Sequence, residues 1–383
     1  LSKEFVETPN NIEISQRPFF NNVNGLRFLG ALLVFIFHSF TLYRENWGDF
    51  KDGTLFQGLY KIANKGHYGV SLFFVLSGFL ITSMLLHELK KTGTISVFHF
   101  FMRRILRIWP LYFLLILYGF LLFPYLPGGQ FTQHSITWFA FFGANFDEIK
   151  NGLHDTLNFL TVMWSVSVEE QFYLVWMLSM ALFPFIKQKK YFLMYAIALI
   201  ISSVVFRYLH AHDDRILYFH SLSVVSDLAI GSVIAYSIHF YDLKKWVESW
   251  SKRTIIISYF FGIGLLFSAH ILFTNAFESI ERLVVGFFFA FVLMEQIYSN
   301  HSFYKIDRWP FFFQLGELTY GFYLFHCIYL YYWSLFFVEH QLTDHFSYFL
   351  LYILICFAST FCTAWLSLKF IERPILKLKR YFK

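Results

Sequence analysis

What most constrains this chain is the recurrence of apolar stretches long enough to cross a bilayer. Segments 25–42, 69–86, 108–125, 166–186, 191–209, 216–240, 254–273, 280–298, 311–338 and 346–371 each match or exceed the roughly 17 to 25 residues of a spanning helix. They predict an all-α polytopic membrane protein with about ten transmembrane helices. With 57% hydrophobic and 15% charged residues and a mean hydropathy of +0.51, too little polar surface is left to coat a soluble particle of 383 residues. Residues 1–24 are polar and lack the apolar core and small-residue cleavage site of a secretory signal. They read as an N-terminal tail, ahead of a single transmembrane domain over 25–371 and a basic tail over 372–383.

Lys and Arg in the connections set the orientation. One side collects Lys3 and Arg17, Lys90 to Arg107, Lys187 to Lys190, Lys244 to Arg253, Lys305 and Arg308, and the basic C-terminus. That is about three times the number on the other side, which predicts that both termini are cytoplasmic. Segment 132–145 is apolar but only about 14 residues long, which suits a short re-entrant or interfacial helix. Counting it as a span would reverse every later connection and destroy the charge asymmetry. The net charge of +6 is spread between spans instead of along one stripe, so membrane lipids are the expected partners and nucleic acid is not. Cys327, Cys356 and Cys362 all fall in apolar segments, where they read as packing residues and not as a disulfide framework or a metal cluster.

Within the first span, Arg27 and His38 are eleven residues apart. That is nearly three helical turns, so both project from one face about 16 Å apart. An ionisable group deep in the membrane defaults to function. His38 can take a proton from an attacking hydroxyl, or it can simply bond a neighbouring helix. His326 lies at a similar depth in its own span and can share the chemistry, orient a substrate or pin a helix. Arg103, Arg104 and Arg107 begin the third span close to one face. Such a cluster suits a polyanion as well as lipid headgroups. Glu169 and Glu170, at the outer start of the fourth span, diverge by about 100° and cannot share a face. One can serve the site, or either can cap the helix. Asp49 can orient His38 from the first outer loop, although it and Asp52 also read as solvated loop carboxylates. Asp227, inside the sixth span, needs a partner. Gly66, Gly69 and Gly78 flank or lie in a span and read as sites of close helix contact.

Five stretches stand out along the chain. They are Gly25-Leu26-Arg27 with His38; Gly66-His67-Tyr68-Gly69-Val70 running into Phe73-Phe74-Val75-Leu76-Ser77-Gly78; and Arg103-Arg104-Ile105-Leu106-Arg107-Ile108-Trp109-Pro110. The others are Trp164-Ser165-Val166-Ser167-Val168-Glu169-Glu170-Gln171 and Tyr320-Gly321-Phe322-Tyr323-Leu324-Phe325-His326. Taken together they resemble the membrane-bound acyltransferase 3 family, and Phe370-Ile371-Glu372-Arg373-Pro374 resembles that family's ending.

The resemblance implies transfer of an acyl group, commonly acetyl from acetyl-CoA, to a hydroxyl of a carbohydrate or lipid-linked glycan, such as a lipopolysaccharide or exopolysaccharide, at a bacterial inner membrane. It implies acyl-CoA as donor substrate and no tightly bound cofactor. His38 becomes the expected general base, with Glu169, Glu170, Asp49 and His326 as further catalytic candidates. Arg27, Arg104, Arg107 and Arg103 become candidates for acyl-CoA binding. Direct transfer and an acyl-histidine relay both remain open. Some members append an extracytoplasmic hydrolase-like domain; with the sequence ending at Lys383, none is expected here. The competing class is a proton-coupled transporter or a lipid or glycan carrier, in which His38, His326 and Asp227 relay protons.

Overall fold

A computed structural model describes Phe20 and residues 22–152, 158–182, 188–274 and 278–382. Most of the predicted tail over 1–24, with Lys3 and Arg17, lies outside the described residues, as do Lys187 and the end of the fourth predicted span. Each of the ten predicted spans coincides with a long helix. In chain order they are α1 (Val23–Thr41), α2 (Gly69–Thr92), α3 (Val97–Leu117), α4 (Met163–Leu182), α5 (Lys189–Leu209), α6 (Ser221–Phe240), α7 (Lys252–Leu272), α8 (Glu278–Tyr298), α9 (Pro310–Glu339) and α10 (Phe346–Ser367). No strand occurs among the described residues. Eight of these helices, alone or with their helical extensions, are long and apolar enough to cross a membrane. The other two, α4 and α8, are diluted by Glu169 and Glu170 and by Glu281, Arg282 and Glu295.

Local chemistry sets the helix ends. Gly93 closes α2 with φ at 73°, a left-handed conformation that suits a residue without Cβ. Three residues later Ser96 opens α3, its hydroxyl accepting from the His99 amide. The third helix therefore begins eleven residues before the predicted span at 108. This overturns the expectation that Arg103, Arg104 and Arg107 stand at a helix start. Arg107 lies about 15 Å inside the helix.

Segment 132–145 is not the one short helix expected. It forms two pieces, Ile136–Ala140 and Ala144–Asn151, separated by a turn in which Phe142 has φ of 54°. Side chains of the bundle satisfy carbonyls around the break: the Tyr112 hydroxyl donates to Phe139 at 2.9 Å and Gln171 Nε2 to Phe142 at 2.7 Å.

Packing places α1 between α2 and α9. Gly69 lets α2 press against the α1 backbone; a Cβ there would sit 2.6 Å from the Gly30 carbonyl oxygen. The contact between α2 and α6 is closer still. A Cβ on Gly78 would lie 1.9 Å from the Leu228 oxygen, and one on Gly231 would lie 2.0 Å from the Val75 oxygen. The small residues of the α2 motif thus serve helix contact, as expected. At its start, α1 is tied down by residues far along the chain. The Gly25 amide donates to Asp307 Oδ1 at 2.9 Å, and Asn22 bonds Gln296 and Asp307 through its side chain. These contacts fix the rotation of α1, and with it the directions of Arg27 and His38.

Candidate active site

Two cavities approach each other from opposite ends of the bundle. The larger, of about 360 Å³, opens at the end where α1, α3 and α9 begin. Its walls carry Arg27 from α1, Ser77 from α2, Arg104 and Arg107 from α3, Glu169 and Tyr173 from α4, and Tyr320 and Tyr323 from α9. Three guanidinium groups thus face one space, spaced along α1 and α3 so that each reaches it from a different height. Arg104 lies over the Tyr173 ring at 4.5 Å, a cation–π contact that holds its planar head against the wall. Glu169, one of three carboxylates lining the cavity with Glu317 and Glu372, accepts from Ser77 and Tyr173, each at 2.9 Å. With four arginines against three carboxylates on its lining, this partly apolar cleft has the chemistry to take an anionic ligand with an apolar arm.

The chain beyond α10 supplies the mouth. Pro374 has no N–H, so the helical bond to the Phe370 carbonyl is lost, and residues Leu368–Glu372 form a π-turn. The turn brings Glu372 onto the cavity wall, where Ser367 donates to it at 3.3 Å. Arg373 pairs with Glu317 at 2.8 Å on the rim. Neither Glu372 nor Arg373 was assigned a role from sequence, although both stand in the family-like ending; a Glu-Arg-Pro run after an apolar helix is the signal.

Beyond the inner end of this cavity stand the two histidines. His38 Nδ1 is 2.8 Å from His326 Nε2, with the rings 12° from parallel. His326 Nδ1 is 2.7 Å from the carbonyl oxygen of Tyr323, whose side chain lines the cavity. A carbonyl can only accept, so a neutral His326 carries its proton on Nδ1 and presents a lone pair at Nε2. His38 then donates from Nδ1, and its own Nε2 is left as the free base. His326 is 1% exposed, whereas His38 is partly open.

Other candidates fall elsewhere. Arg103 turns away from the cavity, pairs with Glu88 at 2.9 Å and donates to the Phe382 carbonyl at 3.1 Å, so it ties α2, α3 and the C-terminus together. Adjacent positions on α3 point about 100° apart, which is why Arg104 enters the cavity and Arg103 does not. Glu170 is buried outside the cavity wall. Of the two glutamates, it is Glu169 that enters a cavity, and it faces the arginine-lined space. Asp49 is exposed in the loop after α1, and the partner of His38 is an imidazole rather than a carboxylate. Asp227 finds its partner in Arg282, at 2.8 Å, near the start of α8. Cys327 also departs from a pure packing role, because its Sγ lies 3.3 Å from His326 Nε2 and 3.5 Å from His38 Nδ1.

The second cavity, of about 210 Å³, lies at the opposite end, where α2 and α8 begin. His67, Tyr68, Trp164, Arg207, Glu281 and Arg282 line it. Aromatic side chains lie between the two spaces. Phe74 of the first cavity is 5.9 Å from Trp164 of the second, and Trp164 is 5.1 Å from Tyr218, all between ring centroids.

A family model described as an acyltransferase domain matches residues 20–368. The chain belongs to this acyltransferase family. As a family member with eight span-capable helices, it is a multi-pass integral membrane protein. Peptidoglycan O-acetyltransferase OatA of Listeria monocytogenes is 26% identical to it over 96% of this chain and 58% of that protein. A provisionally named O-acetyltransferase of Staphylococcus aureus is 24% identical over 93% of the chain and 57% of its own length. A provisionally named peptidoglycan O-acetyltransferase, YrhL of Bacillus subtilis, is 27% identical over 56% of the chain and 32% of its length. The chain thus spans less than two thirds of each of these relatives. No solved structure matches the chain.

Proposed function

We propose that this acyltransferase domain is a membrane O-acetyltransferase that moves an acetyl group from cytoplasmic acetyl-CoA to a hydroxyl of an extracytoplasmic glycan. The observation that carries the reading is the bonded series from the Tyr323 carbonyl through His326 to His38, set beyond the inner end of an arginine-lined cavity. Arg27, Arg104 and Arg107 would bind the coenzyme's phosphates by forked, charge-assisted hydrogen bonds. The acetyl-pantetheine arm would then run past Tyr320 toward Tyr323. Basic connections at this end agree with a cytoplasmic position. From the far cavity, an acceptor hydroxyl would meet the thioester across the aromatic partition.

His38 Nε2 takes the hydroxyl proton as the oxygen attacks the acetyl carbonyl. The carbon–sulfur bond breaks, and the proton passes from His38 to the departing thiolate, so free coenzyme A and the acetyl ester are the products. No covalent enzyme intermediate is required, because both substrates reach one carbonyl. Relatives named as peptidoglycan O-acetyltransferases favour a sugar hydroxyl of a cell-wall glycan as acceptor, and a bacterial cell membrane as the location. A transporter would have little use for an arginine cluster converging on a histidine pair. The test is transfer of labelled acetyl from acetyl-CoA to a peptidoglycan fragment by purified protein. His38→Ala should lower the rate by about 10²- to 10⁴-fold; a folded variant that keeps full transfer would dismiss His38 as the base.

A further inference from the structure

The histidine pair carries a third donor atom that acyl transfer leaves unused. His38 Nδ1, His326 Nε2 and Cys327 Sγ all lie within 4.8 Å of one another. Two imidazoles and a thiolate are a soft nitrogen and sulfur set of the kind that holds zinc or cuprous copper. Around a tetrahedral zinc, bond lengths of about 2.0–2.1 Å to nitrogen and about 2.3 Å to sulfur set N···N near ~3.4 Å and N···S near ~3.6 Å. The two nitrogen–sulfur separations, 3.3 and 3.5 Å, already agree within about 0.3 Å. Only the nitrogen pair, at 2.8 Å, must open, by roughly 0.6 Å.

The surroundings suit a ligand set. His326 is held through Nδ1 by the Tyr323 carbonyl, the outer bond that ligating imidazoles make to fix the coordinating nitrogen. Phe35 and Phe37 stand beside the imidazoles, with ring centroids 6.2 and 5.0 Å away, and form an apolar shell. Charge favours a thiophilic ion over a hard one. Cuprous copper with one thiolate and two neutral imidazoles is uncharged, and zinc with the same ligands carries a single positive charge, whereas an unpaired dication in an apolar interior is strongly disfavoured.

We propose that His38, His326 and Cys327 form a binding site for a soft d10 metal ion, and that its occupancy silences acyl transfer. On binding, the Cys327 thiol loses its proton to solvent and the ion accepts lone pairs from Sγ and both ring nitrogens. Metal on Nδ1 leaves a neutral His38 with its proton on Nε2, so the base is gone. The silencing rests on the reading of His38 as base; the binding does not.

The test uses the full chain purified in detergent and stripped of metal, titrated in separate arms with the cuprous acetonitrile complex and with zinc chloride. One ion per chain should be retained, with Cys327→Ser retaining none. Acetyl transfer should fall with occupancy in the wild type, while Cys327→Ser, measured against its own metal-free rate, is at least tenfold less sensitive. Cobalt(II) should give a thiolate charge-transfer absorption in the wild-type protein, a readout that needs no variant. Cys327→Ala repeats the comparison should serine disturb folding. Retention of neither ion, equal retention by the cysteine variants, or cobalt without the thiolate band would overturn the site. Metal bound through Cys327 with transfer undiminished would leave the site standing and overturn the silencing, and His38 as the base with it.

Discussion

Replacing His326 by Ala should separate orientation of the base from the base itself. The substitution removes the acceptor that now lies 2.8 Å from His38 Nδ1. His38 then keeps only the Cys327 sulfur, a weak acceptor 3.5 Å from Nδ1, for that N–H, and the tautomer with a free Nε2 loses most of its advantage. Leaving a buried donor unpaired costs about 1–3 kcal/mol, and each ~1.4 kcal/mol is tenfold in rate, so kcat should fall about 5- to 150-fold. That is a smaller loss than deletion of His38 itself. His326→Gln offers an amide oxygen to the same N–H and should recover part of the rate. Acetyl transfer to a soluble glycan fragment supplies kcat, and equilibrium binding of acetyl-CoA supplies affinity. Elution as a single species and an unchanged melting temperature show whether each variant is folded. A folded His326→Ala protein with kcat within twofold of wild type would refute the tautomer argument. So would a loss that appears in acetyl-CoA affinity and leaves kcat intact.

Other predictions test the surrounding assignments. Arg104→Ala should weaken acetyl-CoA binding about 10- to 150-fold, the range for a lost charged hydrogen bond, and leave acceptor KM alone. Arg103→Ala should do the reverse of a binding-site change: lower the melting temperature through the broken Glu88 pair and leave acetyl-CoA affinity unchanged in the same titration. Gly78→Ala forces α2 and α6 apart, because its Cβ would be 1.9 Å from the Leu228 oxygen. Overpacking of this kind costs about 1–3 kcal/mol or more. Gly264→Ala on α7, where nothing lies within 4 Å of the added atom, is the control, and equal thermal stability of the two would contradict the close approach. Asp227→Asn should strip the partner from Arg282 and destabilise the fold by about 3–5 kcal/mol. A second change, Arg282→Met, should recover much of that loss in the melting temperature.

Hydrophobic length alone located the ten long helices among the described residues, because a bilayer tolerates few alternatives to a satisfied helical backbone. It misplaced the start of α3, since Val97 to Arg107 mixes basic and apolar residues and reads as a connection; the Gly93 stop and Ser96 cap were the signals to weigh. The break at Phe142 was illegible because side chains from other helices stabilise it. Among the site residues, eleven-residue spacing predicted that Arg27 and His38 share a face. It could not choose between Glu169 and Glu170, or exclude Arg103, because rotation of a helix about its own axis is set by packing partners far away in sequence. The same limit hid the closeness of His38, His326 and Cys327, which depends on how α1 is gripped between α2 and α9.

The aromatic layer between the two cavities has a kinetic consequence. Phe74 packs against Trp164 between them, and the proposed transfer would need such ring contacts to part by rotation of side chains, without moving a helix. Rotamer changes are far faster than the roughly 1–10³ turnovers per second typical of enzymes, whereas collective helix motions run to microseconds and milliseconds. The bundle can therefore stay locked at its glycine contacts through a whole catalytic cycle. Under the proposed direct transfer, the acetyl carbonyl and the acceptor hydroxyl would meet at the barrier, while the rest of the coenzyme and of the glycan would each remain in its own compartment.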